Sequence, residues 1–182
     1  MQTESLKSGC IQLWTDGISA GDEILVSIME HHSDMLPWQQ AAKRTGAVVK
    51  YLECDRQGRI TEEDLRNAIT DKTKLVAVTQ VSNVLGVRND IRAFAKICHE
   101  KGIVIVADGA QSVPHMPVDV QELDVDFLAF SGHKMLGPMG IGVLYGKREY
   151  LEKMPPFLTG GEMIESVSRD GAVFAQPPHK FE

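Results

Sequence analysis

The sequence is poor in cysteine and in basic charge, and it has no long apolar run. Its 182 residues include three cysteines, Cys10, Cys54 and Cys98. An odd number without CxxC spacing excludes a disulfide framework and a cysteine zinc site. No apolar stretch approaches the ~20 residues of a membrane-spanning helix. Polar groups scattered through MQTESLKSGCIQLWTDGISA break up any signal-peptide core, so a reducing, cytoplasmic setting is the default expectation. Nineteen Lys and Arg against 25 Asp and Glu leave a net charge of −6, which argues against an electrostatic nucleic-acid binder. Repeats and low-complexity tracts are absent. So are the GxxxxGK[ST] and GxGxxG phosphate loops, HEXXH metal spacing and the G-x-S-x-G nucleophile elbow.

What is there suits an ordinary globular domain: 43% apolar and 24% charged residues, with enough chain to bury a core. From Gly21 onward, short β-branched runs alternate with amphipathic stretches. Strands are expected at Glu23–Ser27, Ala47–Leu52, Lys74–Thr79, Ile103–Ala107, Asp126–Phe130 and Ile141–Tyr145. The runs KLVAVT and IVIVA are continuously apolar, as in strands covered on both faces. Helices are expected at Leu36–Thr45, stopped by Gly46, after Thr61 with Asp64 in capping-box position, and at Ile91–Lys101, stopped by Gly102. This alternation implies an α/β fold with a mostly parallel sheet and flanking helices. Both ends look unfinished. The lead before Gly21 has no clear pattern, and Gly171–Glu182 stops without closing an element, so part of a larger chain is expected.

The polar residues that interrupt the pattern fall at strand ends, where ligands bind in such sheets. Asp108 ends IVIVAD and Gln111 follows it. Ser131, His133 and Lys134 end FLAFSGHK, Asn83 follows KLVAVTQVSN, and His31 and His32 follow EILVSIME. An acid at one strand end and an amine at another suit pyridoxal 5'-phosphate. The amine forms a Schiff base with the cofactor aldehyde, and a carboxylate on the pyridine nitrogen makes the ring an electron sink. On spacing alone, Lys134 could equally be a solvated surface lysine and Asp108–Gly109 a simple turn.

The motifs themselves go further. ADGAQSVPHMPVD followed by DVDFLAFSGHKMLGPMGIGVLYG, with EHHSDMLPWQ, VSNVLG and GGEMI in order, resembles the class V aminotransferase family of fold-type I pyridoxal-phosphate enzymes. Within it, the chain is most similar to the SufS-type (group II) cysteine desulfurases. The resemblance covers about Gly21 to Glu182 and leaves residues 1–20 as an unmatched lead. It implies a partial pyridoxal-phosphate-binding large domain.

The resemblance also implies roles. Lys134 would form the Schiff base and move protons. Asp108 would pair with the pyridine nitrogen, and Gln111 would hydrogen-bond the ring oxygen. Asn83 would lie near that oxygen and the substrate carboxylate. His31 would stack on the cofactor and take part in proton transfer, while Ser131 and His133 would bind the phosphate. The implied reaction removes sulfur from L-cysteine (or selenium from L-selenocysteine), leaving L-alanine and a persulfide. That sulfur would pass to a SUF-type acceptor for iron–sulfur cluster assembly, from a homodimeric enzyme.

The family's nucleophilic cysteine and its carboxylate-binding arginine lie downstream of where this sequence ends, and its glycine-threonine phosphate turn has no counterpart here. Cys54 and Cys98 match no catalytic position and read as small apolar residues. His32 reads as a capping or packing residue of the following helix, and His99, His115 and His179 as surface or loop residues. Two other readings stay open: a different class V enzyme, such as a selenocysteine lyase, kynureninase or aminotransferase, and an inactive fragment that packs against a partner chain.

Overall fold

A computed structural model describes residues 17–156 and 158–181. Six strands form one sheet in the order β2-β1-β3-β4-β5-β6. They are β1 (Glu23–Ser27), β2 (Val48–Leu52), β3 (Thr73–Thr79), β4 (Val104–Asp108), β5 (Phe127–Ser131) and β6 (Gly142–Gly146). The first five run parallel, and β6 pairs antiparallel with β5 at the edge. Every strand expected from the pattern is present, with ends displaced by at most a residue.

Alternation along each strand builds two cores, because successive side chains point to opposite faces. Leu25, Val76, Val78, Ile105 and Leu128 face one side and pack with Leu65, Phe94 and Ile97. These last come from helices α2 (Glu62–Ala68) and α3 (Ile91–His99). Ile24, Val26, Leu75, Ala77, Val106 and Phe127 face the other side, against Trp38 and Ala41 of helix α1 (His32–Thr45). The short helices α4 (Val120–Leu123) and α5 (Arg148–Lys153) complete the layers. Among the described residues, no helix is long and apolar enough to cross a membrane.

Local signals explain the helix ends. Thr61 and Asp64 form a reciprocal capping box, with Asp64 N donating to Thr61 Oγ1 (3.1 Å) and Thr61 N to Asp64 Oδ2 (2.8 Å). Gly46 ends α1 at φ +79°, a left-handed cap that favours glycine. Helix α1 begins four residues earlier than its apolar pattern suggests. Its first turn is set by the His31 cap, and Pro37 sits inside the helix, leaving the Ser33 carbonyl without its usual donor. The end of the chain also differs from expectation. Ile164–Val167 (β7) and Ala172–Phe174 (β8) form an antiparallel hairpin. The turn closes through Ser168 N on Gly171 O (2.8 Å). Both strands are largely exposed, so no apolar alternation announces them.

The amino end of β5 is held by a charged cluster opposite the strand ends that carry the candidate site. Asp126, with its side chain 2% exposed, accepts from Ile105 N (2.9 Å), which joins β5 to β4. It also meets His99 Nε2 at 3.1 Å and Lys147 Nζ at 3.0 Å, while Lys147 reaches Asp124 at 2.7 Å. Partial burial works to lower the Lys147 pKa, but the two carboxylates outweigh it and hold the ammonium above its ordinary range. Removing the lysine leaves a buried carboxylate short of countercharge. Lys147→Met is therefore expected to cost about 2 kcal/mol, under the range for fully buried pairs because the lysine is partly exposed. Urea unfolding of the two proteins measures it, and an unchanged midpoint would contradict the role.

Candidate active site

Parallel strands place their carboxyl ends along one edge, and here that edge is where buried polarity collects. Thr79 of β3 is in register with Asp108 of β4, and Asp108 with Ala129 of β5. Ser131 lies two residues further along β5. Asp108 is 4% exposed; its Oδ1 accepts from Ala110 N (2.8 Å), which turns the carboxyl back over the strand end. The chain leaves β4 through Gly109, whose N donates to Ala129 O at 2.9 Å. A Cβ there would stand 3.0 Å from a Leu128 methyl.

The end of β5 is built differently. Ser131 is 1% exposed, and its Oγ is buried with no hydrogen-bond partner among the described residues. A 3-10 turn over Gly132–Met135 follows, carrying exposed His133 and half-buried Lys134. The turn closes through Gly137 N on Gly132 O (2.9 Å), and a Cβ on Gly137 would also stand 2.9 Å from that oxygen. Only glycine permits this approach, which fixes the direction in which Lys134 leaves the strand.

The remaining sequence candidates occupy the same edge with more exposure. Gln111 is half-buried on the turn after β4, its carbonyl oxygen 2.6 Å from His115 Nδ1. Asn83 is exposed in the turn after β3, whose backbone is organised by Ser82, with Leu85 N on Ser82 Oγ at 3.2 Å. His31 is the N-cap of α1: its Nδ1 accepts from Ser33 N (3.1 Å). Capping thus falls to His31 and not to His32, whose ring lies 6.0 Å away. The histidine expected to contact a cofactor has one ring nitrogen committed to its helix.

All seven candidates therefore sit at the ends of β1, β3, β4 and β5 or in the turns that follow. Two acids escaped the sequence reading. Glu30, between β1 and His31, and Asp34, in the first turn of α1, are buried and join Asp108, with carboxylate oxygens of all three within 4.8 Å of one another. Their i, i+4 spacing in EHHSD was visible, but nothing in it distinguishes buried acids from solvated ones. Burial pushes the Glu30 carboxyl well above its ordinary range, and Asp34 adds to the effect.

The cysteines behave as small apolar groups. Cys98 is buried in α3, and burial with the nearby Asp126 charge pushes its thiol up to about 12, far from a reactive thiolate. Cys54 is half-buried against the core. Cys10 lies outside the described residues.

The aminotransferase class-V family profile matches residues 2–182. The chain belongs to the aminotransferase class-V family. It is 53% identical over 165 residues to a probable cysteine desulfurase of Halalkalibacterium halodurans, covering 91% of this chain and 41% of that protein. It is 48% identical to a cysteine desulfurase of Haloferax volcanii, covering 99% and 42%. The crystal structure of the Escherichia coli cysteine desulfurase CsdA superposes with a TM-score of 0.95 at 43% identity, over 99% of this chain and 45% of that one. The apo cysteine desulfurase of Thermococcus onnurineus gives 0.94 at 42%, over 100% and 45%. The class V chain thus spans about two fifths of the length of these curated relatives.

The orphaned serine generates a test. An unmet buried hydroxyl costs about 1–3 kcal/mol, so Ser131→Ala should leave the ligand-free chain as stable as the parent or more so, by urea unfolding. A clear loss of stability would mean that the hydroxyl has a partner in the free protein.

Proposed function

We propose that this chain carries the pyridoxal-phosphate site of a cysteine desulfurase, acting on L-cysteine and passing its sulfur on as a persulfide. The observation that carries the reading is the row of strand ends. It joins a buried carboxylate (Asp108), a buried hydroxyl with no partner among the described residues (Ser131) and, three residues on, a half-buried lysine (Lys134). A ring cation, a phosphate and an aldehyde are the three groups such a row suits, and pyridoxal phosphate has all of them. The cysteine desulfurase relatives at about 50% identity, and a 27%-identical structure described as C-DES with glycine covalently linked to its pyridoxal-phosphate cofactor, support it.

When bound, the cofactor withdraws electrons from the substrate's α-carbon through its protonated ring. The residues of the chain do the rest. Asp108, shielded from water, sets its carboxyl group against the ring nitrogen. Ser131 Oγ donates to a phosphate oxygen, assisted by His133. Gln111 donates to the ring oxygen from the β4 turn, and Asn83 reaches toward it and the substrate carboxylate. Lys134 Nζ attaches the cofactor and afterwards accepts and returns the substrate's proton. His31, its Nδ1 held by the α1 cap, offers its ring face and Nε2.

Within the family we read the chain as SufS-type, on the strength of EHHSDMLPWQ and VSNVLG, and as part of a cytoplasmic homodimer that serves a SUF-type sulfur acceptor. Neither Cys54 nor Cys98 is suited to carry the persulfide, since Cys98 is buried with a raised pKa and Cys54 is packed against the core.

Adding pyridoxal phosphate to the purified chain should give a visible absorbance band that borohydride fixes covalently, and Lys134→Ala should abolish the covalent attachment with the fold intact. Unchanged borohydride trapping in that variant would assign the attachment to another amine and overturn the site.

A further inference from the structure

The three buried acids pose a physical problem that the family motifs do not address. Like charges in close contact and out of water disfavour joint ionisation. Glu30 is 6% exposed, Asp34 2% and Asp108 4%. Glu30 Oε1 already accepts from Ser27 Oγ at the end of β1 and from Thr79 N at the end of β3. Its other oxygen, Oε2, is buried and receives no hydrogen bond from any described donor. One carboxylate oxygen fully engaged and the other facing acids is the arrangement of a protonated carboxyl group, whose O–H supplies the missing donor.

We propose that Glu30 is a positioning residue for the cofactor site: it keeps a proton, donates it toward Asp34, and so holds the Asp108 carboxyl group in place for a ligand cation. This rests on the reading of Asp108 as the partner of the pyridine nitrogen. Glu30 ties the ends of β1 and β3 together through Oε1, and β3 is the strand in register with Asp108. It therefore connects the loop leading to His31 with the carboxylate on β4 without itself touching the ligand.

The groups acting on Glu30 come from each element around it. Asp34 of α1 and Asp108 of β4 are the charges that raise its pKa, on top of burial, while the Ser27 hydroxyl of β1 lowers it. The sign follows. The folded-state pKa lies above the ordinary 4.5, so the unfolded chain gives up this proton first. The contribution to stability is fully present below that ordinary value and is lost as pH rises toward the raised folded value. The folding equilibrium weakens by up to about tenfold per pH unit in that window.

Glu30→Gln replaces the O–H donor with an N–H donor and keeps the Oε1 acceptor. Glu30→Ala removes both. Urea unfolding of parent and Glu30→Gln across the window above pH 4.5 reads the proton directly, without any cofactor. The parent should lose stability relative to the glutamine variant as pH rises, and a difference that does not vary with pH would overturn the proposal. Repeating the titration with magnesium or calcium separates a proton from a metal. Stabilisation of the parent alone by either ion would mean that the acids hold a cation, which also overturns it.

Binding of pyridoxal phosphate then reads the positioning role. Affinity should fall about tenfold or more in Glu30→Ala, a change of about 1.4 kcal/mol or more. Glu30→Gln should stay within about threefold of the parent. Equal weakening in both variants, or in neither, would contradict it. If the parent itself fails to bind the cofactor, the proposed function falls while the unfolding comparison still decides whether Glu30 keeps its proton.

Discussion

Four neighbouring parallel strands, β1, β3, β4 and β5, are buried on both faces and leave one place for polar chemistry, the line where their carboxyl ends meet. Within β3 and β4 the side chains are almost wholly buried, so any charge among them is taken out of water at a cost of several kcal/mol unless it finds a partner. At the amino end the problem is solved by pairing, since Asp126 is answered by Lys147, His99 and a backbone N–H. At the carboxyl end Glu30, Asp34 and Asp108 gather, and the Ser131 hydroxyl is buried with no partner among the described residues. The two ends differ in what they gather: the amino end sets one buried acid against two bases, and the carboxyl end brings together three buried acids and a buried hydroxyl, groups suited to a ligand.

The placement of the site depends on that contrast more than on any single residue. Asp108 is rigid because its strand lies between β3 and β5 and its Oδ1 is tied to Ala110 N. Lys134 is aimed by a tight turn that closes only because Gly137 has no side chain. His31, Asn83 and His133 are exposed on the surrounding loops. Rigid groups at the back and adaptable ones at the mouth suit a site that holds a cofactor firmly and admits a smaller substrate above it.

Much of this was legible in the sequence because burial on two faces leaves a strong mark. Runs such as KLVAVT and IVIVA could hardly be anything else, and the capping box at Thr61 and the stop at Gly46 appear where their chemistry requires. The polar residues of the site stood out because they interrupt those runs. What could not be read has physical reasons. The β7–β8 hairpin is largely exposed and carries no burial pattern. The start of α1 is hidden because its first residues, His32, Ser33 and Asp34, are polar and carry no apolar period. The acid pair Glu30 and Asp34 looks like an ordinary charged helix start until the fold brings Asp108 beside it, because burial of a carboxyl group is a property of the tertiary structure alone.

The most direct single measurement is a crystal structure of the chain grown with pyridoxal phosphate. We expect the cofactor joined to Lys134 Nζ, its ring nitrogen against the Asp108 carboxylate and its phosphate on Ser131 Oγ, with Glu30 behind Asp108 and out of contact with the ring. A cofactor attached to another lysine, or a ring nitrogen turned away from Asp108, would contradict the assignment of this strand-end row as the catalytic site.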